Sequence, residues 1–364
     1  MTTSNINASI ASLSPYQPGK PIDELARELG ISDIIKLASN ENPRGPGEHV
    51  RSALRNTFES LSLYPDGSGF RLKRVISEKL GVDAASITLG NGSNDVLELA
   101  ARVVLEPGSE VIVSEHAFVV YRLVTVAAGA KLVEVPAKGF GSDLDGFLAA
   151  ATSNTRMVFI ANPNNPTGTW VTRDVLTRFL ESIPRSVWVV LDAAYTEYVE
   201  HTDFPDALSL IGRYPNLVVT RTFSKIYGLA SLRVGYAIST PEFADLMNRI
   251  RMPFNVNSMA LAAAEAALGD DEFMLESRRL NNVGMAMFTQ GLAELRLNMI
   301  PSVGNFVAVD VGRPARPVYE ALLRKGVIVR PIAEYGLPNH LRITIGLPEQ
   351  NQRVLDSLRQ ELSR

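Results

Sequence analysis

Several short apolar runs in the first two thirds of the chain are rich in Val and Ile and lack polar alternation. Strands that are apolar on both faces are typical of parallel sheets covered by helices on each side. The longer segments between them, for example 95–105 and 174–181, have the spacing of amphipathic helices. We therefore predict an α/β fold with a mostly parallel central sheet and helices on both faces. The predicted strands are 87–89, 110–114, 131–135, 156–161, 187–191, 217–220 and 234–238.

The last third of the chain mixes helical and strand-like patterns and predicts a smaller α+β domain, completed by part of the N-terminal segment. The predicted helices are 259–268, 276–295, 317–324 and 350–362, and the predicted strands are 306–311, 327–329 and 341–345. We assign residues 1–44 to an N-terminal arm and part of the small domain, 45–250 to the large domain, and 251–364 to the small C-terminal domain.

Composition limits the function classes. The net charge of -3, without long blocks of one sign, favours small-molecule substrates over nucleic acid or a membrane surface. The chain has no cysteine, which excludes disulfides, thiolate zinc sites and a cysteine nucleophile. With no readable signal or transit peptide, this favours a cytoplasmic location. The four histidines lack metal-binding spacing, so we expect no histidine-based metal site.

Lys225 lies in a loop that is unusually poor in charge for a lysine environment. An amine in such a loop can form a Schiff base with an aldehyde cofactor and then carry a proton between carbon atoms. Arg233 follows Lys225 by eight residues. Its guanidinium can pair with a phosphate dianion, together with the hydroxyls of Thr222, Ser224 and Ser93. This segment predicts a covalently held, phosphorylated aldehyde cofactor.

Residues 90–94, Gly-Asn-Gly-Ser-Asn, follow a strand-like run and begin a helix. Glycines allow the backbone to approach a ligand, and the free N–H groups of a helix start favour an anion. A tight turn capped by Ser93 or Asn94 explains the same residues. The segment is not a complete dinucleotide fingerprint, because Asp95 stands in place of the third glycine. It also lacks the Gly-Lys-Ser/Thr ending of a nucleotide P-loop.

Four further residues follow the carboxyl ends of predicted strands, where ligands bind in α/β folds. Phe118 either packs in the core or stacks on a flat ring. Asn165, in the turn 162–168, either stabilises that turn or donates a hydrogen bond to a phenolic oxygen. Asp192 either caps a turn or keeps a pyridoxal ring nitrogen protonated, and Tyr195 can bind the same phenolic oxygen. Together with the lysine loop, these residues indicate a pyridoxal-phosphate enzyme.

The chain resembles the fold-type I pyridoxal-phosphate aminotransferases, and within them the histidinol-phosphate aminotransferases, over essentially its whole length. The resemblance is carried by Leu-Ala-Ser-Asn-Glu-Asn-Pro at 37–43, Tyr-Pro-Asp-Gly at 64–67, Gly-Asn-Gly-Ser-Asn at 90–94, Asn-Pro-Asn-Asn-Pro-Thr-Gly at 162–168, the segment 222–236 and Arg-Ile-Thr-Ile-Gly at 342–346. It implies pyridoxal 5'-phosphate as cofactor, bound by the large domain. It also implies ping-pong transfer of an amino group between histidinol phosphate/imidazole-acetol phosphate and glutamate/2-oxoglutarate, as in histidine biosynthesis.

The resemblance also implies roles for the cofactor site. Lys225 matches the Schiff-base lysine, Asp192 the partner of the ring nitrogen, and Phe118 the aromatic residue that stacks on the ring. Asn165 and Tyr195 match the partners of the phenolic oxygen. The residues that match the phosphate cradle are Gly92, Ser93, Asn94, Thr222, Ser224 and Arg233.

For the substrate and the assembly, the resemblance implies a homodimer with shared active sites. Tyr64 matches a tyrosine that reaches the phosphate of the neighbouring subunit's cofactor. Arg342 matches an arginine that binds either the glutamate α-carboxylate or the substrate's phosphate. Arg330, Tyr16 and Asn40 match residues of the same substrate pocket.

Two departures leave the substrate open. The family usually has Glu where this chain has Ala193, and Leu where it has Arg44, which adds a positive charge near the expected pocket entrance. An aminotransferase for an aromatic or specialised-pathway keto acid is therefore an alternative. So is a pyridoxal-phosphate-dependent phosphoamino-acid decarboxylase, which shares nearly all the cofactor contacts. A nicotinamide-dependent oxidoreductase is disfavoured by the incomplete dinucleotide fingerprint.

Overall fold

The computed structural model describes residues 8–15 and 19–362. Its strands are β1 (Ile35–Lys36), β2 (Ile87–Gly90), β3 (Glu110–Ser114), β4 (Lys131–Val135), β5 (Thr155–Ala161), β6 (Trp188–Asp192), β7 (Leu217–Thr222), β8 (Gly235–Ile238), β9 (Asn298–Ile300), β10 (Phe306–Asp310), β11 (Val327–Ile328), β12 (Arg330–Ile332) and β13 (Leu337–Thr344). Its α-helices are α1 (Ala8–Ala11), α2 (Ile22–Leu29), α3 (Glu48–Arg55), α4 (Phe70–Leu80), α5 (Ser93–Val104), α6 (Val119–Ala127), α7 (Leu144–Ala150), α8 (Arg173–Ser182), α9 (Pro241–Ile250), α10 (Ser258–Leu268), α11 (Asp271–Glu294), α12 (Ala315–Arg324) and α13 (Pro348–Leu362).

The central sheet has seven strands in the order β2-β8-β7-β6-β5-β3-β4. The pairs from β7 to β4 are all parallel, whereas β8 is antiparallel to both of its neighbours, β2 and β7. The prediction of a mostly parallel sheet is therefore confirmed. Since the carboxyl ends of β3, β5, β6 and β7 meet at one edge, the loops that follow them are brought together.

The apolar strands are buried on both faces because helices cover each side of the sheet. Successive side chains of a strand point to opposite faces. In β6, Val189 and Leu191 accordingly belong to one apolar cluster and Val190 to another. The first cluster includes Phe179 of α8, and the second includes Phe243 of α9. Continuous apolar character thus identified these strands correctly.

The second sheet is antiparallel, with the order β12-β13-β10-β9, and helices α11, α12 and α13 pack on it. Phe288, Leu322 and Leu358 of these helices share a buried apolar cluster with strand residues. The N-terminal segment contributes β1, which pairs with β11 through Ile35 and Val327. This is the smaller α+β unit expected beyond the central sheet, and the residue boundaries of the domains stay a prediction.

Two elements begin four or five residues earlier than predicted. The helix α11 begins at Asp271 rather than at residue 276, because the Asp270 side chain accepts a hydrogen bond from the backbone N–H of Phe273 and caps it. The strand β13 begins at Leu337 rather than at residue 341, because Leu337 pairs with Ile332 of β12. Within residues 8–15 and 19–362, none of the helices is long and apolar enough to cross a membrane.

Candidate active site

A cavity of about 400 Å³ lies at the edge of the central sheet where β5, β6 and β7 end. This volume is in the range of small-molecule sites. The predicted site residues that line it are Asn40, Ser93, Asn94, Phe118, Asn165, Asp192, Tyr195, Thr222, Ser224, Lys225, Arg233 and Arg342. They come from the N-terminal segment, the central sheet and the small sheet, so the tertiary fold assembles this set from three separate parts of the chain.

Lys225 follows β7 by three residues, and its half-buried side chain lines the cavity. Its Nζ donates a hydrogen bond to the carbonyl oxygen of Ser39 at 3.1 Å. Burial, followed by the positive charge of Arg342, lowers the pKa of Lys225 to about 8, although Glu41 and Asp192 oppose the shift. A large fraction of the amine is therefore neutral at mildly alkaline pH, which is the form that attacks an aldehyde.

Asp192 is the last residue of β6, and only 6% of it is exposed. Its Oδ2 accepts a hydrogen bond from Tyr121 Oη at 2.9 Å, and its Oδ1 accepts one from Thr220 Oγ1 at 3.1 Å. Burial raises the pKa of Asp192, and the Tyr121 and Thr220 hydrogen bonds oppose that shift. A carboxylate held in this way can pair with a protonated ring nitrogen.

Sequence reasoning missed both hydrogen-bond donors to Asp192. Thr220 lies directly across from Asp192 in the pairing of β6 and β7, a register that only the sheet reveals. Tyr121 lies three residues after Phe118, but only Phe118 was predicted as a site residue. The sequence did contain a signal for Tyr121, because it is a polar aromatic residue in the first turn of the helix that follows β3.

Arg233 and the start of α5 form a site for an anion. Arg233 Nη1 donates to Ser224 Oγ at 3.3 Å and to the carbonyl oxygen of Ala230 at 3.0 Å. Gly92, immediately before α5, has a φ of 84°, and a Cβ there would lie 2.3 Å from Arg233 Nη2. Only glycine allows the guanidinium to lie this close. The Arg233 guanidinium and the backbone N–H groups of the first turn of α5, which begins at Ser93, together suit a phosphate.

Arg342 lies at the other end of the cavity and connects three parts of the chain. Its Nη1 donates to Asn165 Oδ1 at 2.6 Å, and its Nη2 donates to the carbonyl oxygen of Ala38 at 2.6 Å. Both acceptors are neutral, so these two bonds do not neutralise the guanidinium charge. Since Oδ1 of Asn165 accepts from the arginine, the amide nitrogen is the atom of that carboxamide that can donate to a phenolic oxygen.

Asn40 and Tyr195 form the next part of the wall. Asn40 Nδ2 donates to Tyr195 Oη at 2.9 Å, and Asn40 Oδ1 accepts from Thr344 Oγ1 at 3.2 Å. The backbone of Asn40 has a φ of 55°, in the left-handed region where asparagine is one of the few tolerated residues. The carboxamide of Asn40 thus links the central sheet to the small sheet beside the cavity.

Three of the predicted residues that the structure describes are not part of the cavity lining. Gly92 lies behind Arg233, and Arg330 forms an ion pair with Glu334. Tyr64 is 82% exposed and stacks on Phe254 at a ring-centroid distance of 4.7 Å. Tyr16 lies outside the described residues.

The two departures from the family pattern also have definite places. Arg44 does not line the cavity: its Nη1 donates to the carbonyl oxygen of Phe273 at 3.1 Å, and its Cζ lies 4.8 Å from the centroid of that ring. Its guanidinium is therefore held against α11, and the expectation of a charge near the pocket entrance stays a prediction. Ala193 is buried in the apolar cluster on one face of the central sheet.

These groups fit one kind of cofactor. A lysine amine, a carboxylate with two donors, and an arginine beside a helix start surround the same cavity. The aromatic face of Phe118 lies in the lining as well. An aldehyde with a basic ring nitrogen and a phosphate, as in pyridoxal 5'-phosphate, would find a complementary group for each of its polar parts.

Comparison with known proteins assigns the chain to a family. The aminotransferase class I and II family matches residues 32–358. Histidinol-phosphate aminotransferase 2 of Pseudomonas fluorescens (strain Pf0-1) is 57% identical over 98% of this chain and 96% of its own length. Histidinol-phosphate aminotransferase 2 of Pseudomonas aeruginosa is 58% identical over 96% of this chain and 95% of its own length.

A solved structure agrees with this assignment. The histidinol-phosphate aminotransferase from Sinorhizobium meliloti, in complex with pyridoxal-5'-phosphate, superimposes with a TM-score of 0.92 and 31% sequence identity. The match covers 99% of this chain and 98% of that chain. The expected fold-type I architecture is thereby confirmed. The chain belongs to the class I and II aminotransferase family.

Proposed function

We propose that this enzyme transfers an amino group between histidinol phosphate/imidazole-acetol phosphate and glutamate/2-oxoglutarate. The observation that carries the proposal is that the Lys225 amine, the buried Asp192 carboxylate and the Arg233 guanidinium line one cavity. The choice of substrate is supported by relatives 57% and 58% identical to the chain, which are named histidinol-phosphate aminotransferases. Neither the aromatic substrate nor the decarboxylase alternative has comparable support.

The proposed cofactor is pyridoxal 5'-phosphate, which when bound withdraws electrons from the substrate carbon next to nitrogen and so makes its proton acidic. Lys225 would hold it covalently through Nζ. Asp192 would keep the ring nitrogen protonated, and the Arg233 guanidinium would bind the phosphate. Asn165 and Tyr195 would donate to the phenolic oxygen, and Phe118 would cover the face of the ring.

Lys225 has a second task once substrate has replaced it. Its amine takes the proton from the substrate carbon and returns it to a neighbouring carbon, so one residue acts as base and then as acid. The lowered pKa suits both steps, because neither form of the amine is strongly favoured near pH 8. Burial also keeps water away from the reacting carbon.

Arg342 is the proposed anchor for the anionic group of each substrate. Glutamate offers carboxylates and histidinol phosphate offers a phosphate, and the planar fork of a guanidinium binds either anion through two parallel hydrogen bonds. One cationic site can therefore serve both halves of a ping-pong cycle. Arg330 is the proposed second cation of the substrate pocket; in the described chain it is not part of the cavity lining and forms an ion pair with Glu334.

The proposed assembly is a homodimer in which Tyr64 reaches the partner's cofactor phosphate. Support comes from the surface around Tyr64, where large apolar side chains are exposed in an unusual number. They are Phe58, Leu61, Leu63, Phe70, Met252 and Phe254. Burying them against a second copy would remove this apolar surface from water. The cytoplasmic location, suggested by the absence of cysteine, stays a prediction.

The direct test uses purified holoenzyme with glutamate and imidazole-acetol phosphate as substrates. We expect 2-oxoglutarate and histidinol phosphate in equal amounts, and no activity in Lys225→Ala. Lys138→Ala, which changes an exposed lysine, serves as the control. After borohydride reduction, peptide mass mapping should locate the cofactor on Lys225.

Other outcomes separate the alternatives. Release of carbon dioxide in place of a keto acid would support the decarboxylase, and turnover of aromatic keto acids alone would support the other aminotransferase. The dimer is tested separately by sedimentation of the wild type and Tyr64→Phe. A monomeric wild type at micromolar concentration would contradict the shared active site.

A further inference from the structure

Tyr121 lines the cavity and is the best candidate for a residue that acts on the cofactor through its hydrogen bond to Asp192. It lies in α6, three residues after Phe118, and only 1% of it is exposed. Its Oη donates to Asp192 Oδ2 at 2.9 Å. The sequence separation is 71 residues, so the contact depends on how α6 packs beside β6.

The position of this hydroxyl is fixed by the packing of its ring. The ring of Tyr121 lies parallel to that of Phe159 in β5, with an interplanar angle of 1° and a centroid distance of 4.8 Å. Phe118 meets it edge-on, at 5.8 Å and 86°. Two aromatic contacts at right angles leave the phenol little freedom to turn. Tyr121 therefore presents Oη to Asp192 as a rigid donor.

The hydroxyl also remains protonated. Burial, followed by the negative charge of Asp192, raises the pKa of Tyr121 well above its ordinary value. Tyr195 and Tyr335 lie near enough to add to this shift in the same direction. At any pH at which the protein works, Tyr121 can therefore donate a hydrogen bond but cannot take the negative charge from Asp192.

The carboxylate of Asp192 is held from two sides. Thr220 of β7 donates to Oδ1, while Tyr121 of α6 donates to Oδ2. The backbone N–H of Ala194 and the charge of Lys225 also favour the ionised carboxylate, against the effect of burial. Each carboxylate oxygen has more than one lone pair, so both can accept these bonds and still face a ring nitrogen.

We propose that Tyr121 is a positioning residue, whose hydroxyl orients the Asp192 carboxylate toward the ring nitrogen of the cofactor and keeps that carboxylate ionised. The inference rests on the proposed function for the identity of the ring. Phe118 and Tyr121 both lie at the start of α6, and their rings are in contact. The residue proposed to cover the cofactor ring is therefore packed against the residue that orients Asp192.

The test compares the wild type with Tyr121→Phe, which removes one oxygen and keeps the ring. The control is Tyr214→Phe, which removes the hydroxyl of another fully buried tyrosine, near Glu181 on the other side of the molecule's core. In cofactor-free protein, the Asp192 carboxyl is titrated by its infrared carbonyl band, and the band is assigned by its loss in Asp192→Asn.

We expect Tyr121→Phe to raise the titration midpoint of Asp192 by about one pH unit or more, the usual value of a hydrogen bond to a charged group. Tyr214→Phe should leave it unchanged. In the holoenzyme, Tyr121→Phe should bind the cofactor at least about tenfold more weakly and lower kcat, with little change in the KM for glutamate. An unchanged Asp192 midpoint in folded Tyr121→Phe would overturn the proposal.

Two further features keep the outcomes distinct. The titration uses protein without cofactor, so its result does not depend on amino transfer. If the Asp192 midpoint shifts in Tyr121→Phe but the wild type does not transfer amino groups, the proposed function is refuted and the role of the Tyr121 contact stands. If Tyr121→Phe does not fold, 3-fluorotyrosine introduced at position 121 retains the ring and makes the hydroxyl a stronger donor. It should lower the Asp192 midpoint, and no change would overturn the proposal.

Discussion

Arg330 and Arg342 lie directly opposite each other in the antiparallel pairing of β12 and β13, so their side chains leave the same face of the small sheet. Like charges at opposed positions are destabilising. The pair is accommodated because Arg330 forms an ion pair with Glu334 and Arg342 binds the oxygens of Asn165 and Ala38. Only Arg342 of the two lines the cavity.

We expect Arg342→Lys to lower kcat/KM for glutamate by about tenfold to a hundredfold, because a lysine keeps the charge but loses the two-pronged contact. Arg330→Lys should have a smaller effect, since Arg330 is not part of the cavity lining and is paired with Glu334. Steady-state kinetics with glutamate and histidinol phosphate measure both. Arg316→Lys, at an exposed ion pair, is the control. Equal losses in the Arg330 and Arg342 variants would contradict this ranking.

The lowered pKa of Lys225 predicts a pH dependence for cofactor capture. Below about pH 8 the amine is mainly protonated and cannot attack an aldehyde, and above it the amine is mainly neutral. The rate at which cofactor-free protein combines with pyridoxal 5'-phosphate should therefore rise with pH and level off above about 8. Stopped-flow absorbance measures the rate. A midpoint near the ordinary lysine value of 10.5 would show that the amine is not perturbed.

The same shift predicts a stability effect in the cofactor-free protein. Since the pKa of Lys225 is about 8 in the folded state and 10.5 ordinarily, the unfolded chain binds more protons between these values, and stability contributed by this group rises with pH across that window. Lys225→Met should therefore melt at a higher temperature than the wild type at pH 7. The difference should shrink toward pH 10.5. Scanning calorimetry at several pH values tests it, and a constant difference would disprove the linkage.

Gly92→Ala should damage the anion site. The new Cβ would lie 2.3 Å from Arg233 Nη2, at a backbone φ of 84° that alanine rarely adopts. We expect the guanidinium to be displaced and cofactor affinity to fall at least about tenfold, with strain of about 1–3 kcal/mol lowering stability as well. Equilibrium dialysis measures the affinity. Gly212→Ala, where a Cβ meets no atom within 4 Å, should behave as wild type, and parity between the two variants would exclude this role for Gly92.

The strand pattern and the positions of several site residues were predictable because both are local properties. Val189 to Leu191 are apolar in succession, and this alone shows that both faces of β6 are covered. Asp192 follows that run directly, and residues at the carboxyl ends of parallel strands converge on one edge. The chemical character of Lys225 was likewise visible in its uncharged loop.

Contacts between distant segments were not predictable. Arg342 and Asn165 are 177 residues apart, and Tyr121 and Asp192 are 71 apart. Whether Arg330 faces the cavity or lies behind it depends on how the small sheet packs against the large one. No periodicity along the chain encodes that packing.

The sequence by itself therefore determined the layered fold, the lysine and the acid at strand ends, because each depends on neighbours within a few residues. Only the tertiary structure decided which hydroxyls hold Asp192, which arginine lines the cavity and where Arg44 places its charge. These depend on the meeting of separate helices and sheets, and side-chain packing and hydrogen bonding select that arrangement only when the whole chain is folded.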